Sequence, residues 1–126
     1  MQKTINVGVV GCGYWGPNLI RNFRAQAGCD VKRVCDLDVE RLRHMKNLYP
    51  EVETTTEFSD LVEDKEIDAI AVATPVNTHF ELAMKALEAG KHTFVEKPMA
   101  MSTSECDEMN RLAAEKKLTI MVGHTF

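Results

Sequence analysis

A chain of 126 residues is long enough for one domain and too short for two of ordinary size. Hydrophobic residues make up 44% of it and charged residues 27%, the balance of a globular protein, and a net charge of −4 lacks the basic field carried by binders of nucleic-acid phosphates. No run approaches the roughly 18 apolar residues of a membrane span, and the apolar part of the opening MQKTINVGVVGCG is too short for a secretory leader, so a cytoplasmic domain without nucleic-acid or membrane partners is expected.

Ile5 to Val10 is a β-branched run ending at glycine, the pattern of a strand buried on both faces of a parallel sheet. Trp15 to Ala25 then places Trp15, Leu19, Ile20 and Phe23 at helical spacing, with Pro17 in the first turn, where its missing N–H costs nothing. Val31 to Cys35 predicts a second strand. A helix follows from about Asp38 to Tyr49, with Val39, Leu42, Met45 and Tyr49 on one stripe and Pro50 as its stop. A short strand is expected near Val52, then a helix through Phe58, Leu61 and Val62 opened by the capping box Thr54-x-x-Glu57.

Ile67 to Ala73 reads as the fourth strand, broken by Thr74-Pro75. Thr78-x-x-Glu81 predicts the cap of a helix that buries Phe80, Ala83, Met84 and Leu87, pairs Glu81 with Lys85 outside and stops at Gly90. His92 to Val95 is the fifth strand, Ser102-x-x-Glu105 caps a helix reaching Lys116, and Leu118 to Val122 is the sixth strand. Six strands alternating with helices predict an α/β Rossmann fold, a doubly wound parallel sheet of order 3-2-1-4-5-6.

The chemistry-bearing residues fall in the turns of that scheme. Gly11-Cys12-Gly13-Tyr14-Trp15-Gly16 matches G-x-G-x-x-G, a weak signal alone. Here it follows a buried strand, opens a helix, and precedes by about 20 residues an acid at the tip of the second strand, Asp36. Gly11 allows the tight turn, Gly13 the close approach of a pyrophosphate, and Gly16 close helix packing, while the helix N-terminus offers N–H groups to the anion. A carboxylate at Asp36 can accept both ribose hydroxyls of NAD and repels the extra phosphate of NADP, so NAD is favoured, with Arg33 and Arg41 near enough in sequence to leave dual use open. The bland reading makes Asp36 a turn residue; Asp38 serves the helix N-terminus.

Thr74, Pro75, Asn77 and His79 follow the fourth strand, which flanks the ligand crevice with the first, so Asn77 and His79 are candidates to reach the ribose or nicotinamide. Simple capping by Asn77 or Thr78, and a solvent-facing His79, stand as alternatives. Glu96-Lys97-Pro98 ends the fifth strand at the same edge. Lys97 there can hydrogen-bond a substrate hydroxyl beside the nicotinamide and stabilise charge developing on that oxygen, with a solvated Glu–Lys loop as the alternative. Cys12, Cys29, Cys35 and Cys106 form no C-x-x-C pair and the four histidines are dispersed, so free thiols and no metal are expected.

GVVGCGYWG, VCDLD, AVATPVNTHFELAMKALEAGKHTFVEKPMA and VGHTF together resemble the nucleotide-binding half of the glucose-fructose oxidoreductase, inositol dehydrogenase and rhizopine-catabolism (Gfo/Idh/MocA) family, from about Ile5 to Phe126. GYWGPN with TPVNTHF is similar to its nucleotide-sugar 3-dehydrogenase branch, which acts on UDP-N-acetylglucosamine or its uronate. The resemblance implies an NAD(P)-dependent oxidoreductase acting on a sugar, nucleotide sugar or polyol. Lys97 matches the family's E-K-P lysine and is expected to be catalytic. Gly11, Cys12, Gly13, Tyr14, Trp15, Gly16, Asp36, Thr74, Pro75, Asn77, His79, Glu96 and Lys97 are expected to form the cofactor site.

The family's second α/β domain, which supplies most substrate contacts and an acid–base histidine or aspartate, has no counterpart in residues 1–126. By the resemblance, His124 belongs to the crossover between domains and is not that histidine. The expectation is therefore a truncated or excised domain that binds NAD, turns over no sugar alone, and self-associates as a homo-oligomer. A free-standing dinucleotide sensor is the alternative from another class, and an amino-acid pathway reductase with the same front half a third.

Overall fold

The computed structural model describes residues 4–13 and 16–123. Six parallel strands, β1 (Ile5–Val10), β2 (Cys29–Cys35), β3 (Glu53–Thr55), β4 (Ala69–Val72), β5 (His92–Glu96) and β6 (Ile120–Gly123), lie in the order β3-β2-β1-β4-β5-β6. The helices between them are α1 (Gly16–Ala25), α2 (Val39–Leu48), α3 (Ser59–Val62), α4 (His79–Glu88) and α5 (Thr103–Glu115). Sequence order reverses between β1 and β4, so the turns after these strands border an open crevice at the carboxyl edge.

The period-2 alternation of the strands, interrupted in β2 by a register shift where Val7 pairs with Val31 and Gly8 with Arg33, sorts the core onto two faces. Val7, Val9, Val31, Val34 and Ala71 pack with Leu19 and Ile20 of α1 and Leu42 and Met45 of α2. Val10, Cys35, Ile70 and Val72 point the other way, toward Leu61 of α3 and Ala86 of α4, while Val95 meets Ala83 of α4 and Met109 of α5. Phe94 returns to the first face, edge-on to Phe23 with ring centroids 5.9 Å apart. No helix among the described residues is long and apolar enough to cross a membrane.

Several local expectations shift. Trp15, assigned to the first helix, lies outside the described residues. Val39 is exposed and not part of the buried α2 stripe, whereas Ile67 is buried just ahead of β4. The Thr54 capping box does not form: the Thr55 hydroxyl accepts from the Glu57 N–H and bonds Asp60, and α3 starts without a side-chain cap. The Thr78 box also fails, because Val76–Thr78 is a 3-10 turn in which the Thr78 hydroxyl donates to the Pro75 carbonyl oxygen and contacts the Thr74 hydroxyl. At α5 the Ser102 hydroxyl accepts from the Glu105 N–H as expected, but Glu105 reaches back to the Met101 N–H. Asp38 caps α2 through the N–H groups of Glu40 and Arg41.

Candidate functional site

The turn after β1 is shaped by contacts that only glycine permits. Gly11 adopts φ +93°, and a Cβ there would stand 2.7 Å from the Ala73 carbonyl oxygen of the neighbouring turn. A Cβ on Gly16 would stand 2.2 Å from the Gly11 carbonyl oxygen, so α1 begins directly against the chain leaving β1. The turn thereby keeps its main chain bare at the N-terminus of a ten-residue helix, an arrangement that suits an anion.

At the tip of β2, Asp36 faces this turn. Its Oδ2 accepts from the Cys12 N–H at 2.8 Å and contacts the Cys12 thiol at 3.3 Å, and its Oδ1 accepts from the Asp38 N–H at 2.8 Å. Burial pushes the Asp36 carboxyl up, but the two N–H groups, the thiol and the nearby Arg41 charge outweigh it and hold its pKa below the usual value. Burial and the Asp36 charge push the Cys12 thiol up to about 12, so it is a packed thiol and no nucleophile.

A cavity of about 910 Å³ opens from Asp36 and the glycines to the turn after β4. Of the residues assigned to a cofactor site from the sequence, Gly11, Gly13, Asp36, Thr74 and Pro75 line it. Leu37 and Arg41 line it too. Leu37 is 88% exposed, an apolar side chain held at the mouth of a cavity beside Asp36. Arg41 pairs with Asp38 at 3.7 Å, and its Nη1 lies 3.0 Å from where a Cβ on Gly13 would be, which puts a cation over the glycine turn. Arg33, the other candidate cation, is committed elsewhere, to Glu53, Asp64 and the Asp60 carbonyl.

The remaining candidates divide. Asn77 is exposed and outside the cavity lining. His79 turns inward and is buried, with both ring nitrogens against main-chain carbonyls, so neither the solvent-facing ring nor a ring presented to the crevice is found. Glu96 closes β5 as a buried side chain, not part of a solvated loop; burial pushes its carboxyl up and the His79 charge opposes that rise. Lys97, next in the chain, is exposed at the same edge and has no hydrogen bond or ion pair among the described residues, and its peptide bond to Pro98 is cis. Tyr14, Trp15 and His124 lie outside the described residues. Among those described, no group of three or more His, Cys, Asp or Glu could hold a metal ion.

These features have close counterparts. The inositol 2-dehydrogenase/D-chiro-inositol 3-dehydrogenase of Lactiplantibacillus plantarum is 36% identical over 114 residues, 89% of this chain and 32% of that protein. The 2,7-anhydro-N-acetylneuraminate hydratase of Mediterraneibacter gnavus is 37% identical over 124 residues, 98% of this chain and again 32% of the relative. The chain therefore spans about a third of the length of these relatives. Among solved structures, the biliverdin reductase of Synechocystis sp. PCC 6803, crystallised with biliverdin and NADP+, superposes with a TM-score of 0.90 at 28% identity, covering 95% of this chain and 38% of that one. The profile described as "Oxidoreductase family, NAD-binding Rossmann fold" matches residues 5–124, and with it the chain belongs to the Gfo/Idh/MocA oxidoreductase family as an NAD-binding Rossmann domain.

Proposed function

We propose that this domain holds NAD along the cavity at its carboxyl edge and presents Lys97 to a sugar, nucleotide-sugar or polyol hydroxyl, within an oxidoreductase that moves hydride between that carbon and the nicotinamide. The observation that carries the reading is Asp36, a carboxylate held ionised at the cavity mouth and tied to the glycine turn through the Cys12 N–H. The cavity fits the cofactor: its volume suits a dinucleotide portion, and the turn that would meet the pyrophosphate has no side chain of its own at Gly11 and Gly13 and lies beneath the Arg41 guanidinium.

In this reading the Asp36 oxygens use their remaining lone pairs for the ribose hydroxyls, and the first N–H groups of α1 meet the pyrophosphate. Leu37 packs against the adenine side. The nicotinamide, when bound, supplies the hydride acceptor. Lys97 hydrogen-bonds the substrate hydroxyl and stabilises the negative charge on its oxygen as the proton leaves. Glu96 and the Thr74-Pro75 turn form the wall beside it. A free-standing sensor is not favoured, since the family is one of oxidoreductases. The relatives' names support a sugar or polyol substrate.

Calorimetric titration with NAD and with NADP tests the cofactor half: NAD binding tighter by roughly tenfold or more is expected from the Asp36 charge, and absence of NAD binding overturns the reading. For the chemical half, Lys97→Ala in an active protein containing this domain should lower kcat by roughly a hundredfold or more with little change in NAD affinity. Full activity without the lysine would remove it from the mechanism.

A further inference from the structure

His79 begins α4, yet only 2% of the residue is exposed. Its Nε2 lies 2.8 Å from the Thr74 carbonyl oxygen and its Nδ1 lies 2.9 Å from the Pro98 carbonyl oxygen. A carbonyl oxygen accepts and never donates, so each contact needs an N–H on the ring. Neutral imidazole has one N–H and the imidazolium has two. A neutral ring would therefore set a bare nitrogen lone pair against a carbonyl oxygen at one end, at a distance that suits only a hydrogen bond, in a buried site where the mismatch is costly.

The two carbonyls belong to the two turns at the carboxyl edge. Thr74 follows β4 and lines the cavity, and Pro98 follows Lys97 at the end of β5. Glu96, two residues before Pro98, is 5% exposed, and its side-chain oxygens are both buried without a hydrogen-bond partner. Burial pushes the Glu96 carboxyl up, and a charge on the His79 ring opposes that rise. From α4 itself, the positive end of the helix dipole opposes a cation at its first residue. Two charge-assisted hydrogen bonds stand against that opposition.

We propose that His79 is a positioning residue: an imidazolium whose two N–H groups tie the turn after β4 to the Lys97-Pro98 turn. One side chain thus fixes the spacing between the cavity wall at Thr74 and the main chain that carries Lys97. Only the use made of Lys97 rests on the function proposed above; the tie itself does not. Loss of the second ring proton would release one carbonyl, so order in the turn should fall when the ring deprotonates.

The test is nitrogen NMR of the labelled chain at neutral pH, with the His79 signals assigned by their loss in His79→Gln. Two protonated ring nitrogens with slowly exchanging N–H groups are expected, and one unprotonated ring nitrogen overturns the proposal. Amide hydrogen exchange provides the second readout: at Lys97, Met99 and Ala100 it should quicken roughly tenfold or more in His79→Gln, where one carbonyl is left without a donor. Unchanged exchange there overturns the positioning role. Should His79→Gln fail to fold, the wild-type protein decides: exchange at these amides, corrected for its intrinsic pH dependence, must rise together with loss of the ring proton. Failure to bind NAD would overturn the proposed function and leave both readouts as they are, so the two readings fail separately.

Discussion

The Cys12 N–H donates to Asp36 Oδ2 at 2.8 Å, joining the middle of the glycine turn to the carboxylate at the tip of β2. The bond makes Asp36 part of the fold as well as part of the cavity. Burial raises its pKa, the N–H groups of Cys12 and Asp38, the Cys12 thiol and the Arg41 charge together lower it further than burial lifts it, and the folded value ends below the unfolded one. Ionised Asp36 therefore stabilises the domain above about pH 4, and this contribution is lost as the pH falls through the folded pKa. Asp36→Asn should be less stable than wild type near neutrality in urea denaturation, with the difference shrinking as the pH drops below about 4. A difference that stays constant across that range would mean the carboxylate charge contributes nothing.

Gly16→Ala should damage both stability and binding. The added methyl would stand 2.2 Å from the Gly11 carbonyl oxygen, a main-chain atom that cannot swing aside. Relief requires α1 to move away from the turn after β1, at a cost of about 3 kcal/mol. Denaturation midpoints should fall accordingly, and calorimetry should show NAD binding lost in whatever remains folded.

Leu37→Ser separates the cavity from the core. At 88% exposure the leucine contributes little to folding, so the melting temperature should stay within about 1–2 °C of wild type. Apolar surface covered by a bound adenine would be lost, weakening NAD binding by about 1 kcal/mol, roughly a fivefold rise in Kd. The matching core change, Leu61→Ala, should do the reverse to stability, costing about 2–5 kcal/mol because Leu61 is fully buried beneath Gly8 and Ile67.

Thiol labelling provides a fourth check. A thiol pushed up to about 12, as at Cys12, or to about 11, as at Cys35, holds a thiolate fraction of roughly 10⁻⁴ or less at neutral pH, and both side chains are buried. Mass spectrometry after brief iodoacetamide treatment should find Cys106, which is half-exposed, modified well before either of them. Early modification of Cys12 would show that the Asp36 contact does not hold in solution.

What could be read from the residues alone follows the range of the forces involved. The strand and helix order depends on period and on glycine and proline stops, which are local, and β1, α2, β5 and the Gly11 turn stand where the sequence indicates. The inward turn of His79 goes with a local departure from the capping pattern: the hydroxyl of the preceding Thr78 engages Pro75 and Thr74 instead of capping α4, and a 3-10 turn leads into the helix. Its partner Pro98 is 19 positions distant, and no spacing rule connects them. Leu37 went unremarked because one leucine after an acidic residue has no periodicity to betray it. Arg33 and Arg41 looked equivalent until β3 and the α3 region supplied acidic partners for one and not for the other.

Cofactor choice should therefore rest on Asp36 and Arg41 acting in opposition. Arg41 lies over Gly13 and lines the cavity, and its visible ion pair is a 3.7 Å contact to the half-exposed Asp38, weak enough to exchange for a stronger anion. Asp36 repels a phosphate on the ribose, while Arg41 would attract one. Asp36→Ala should raise NADP affinity relative to NAD by roughly tenfold or more, corresponding to about 1.4 kcal/mol, because the repulsion is gone and the guanidinium remains. Adding Arg41→Ala should cancel most of that gain and leave both cofactors weak. Calorimetric titration of the two variants with both dinucleotides reads the coupling directly. If Arg41→Ala has the same effect with and without Asp36, the two side chains do not contend for the same phosphate and the preference must arise elsewhere in the cavity.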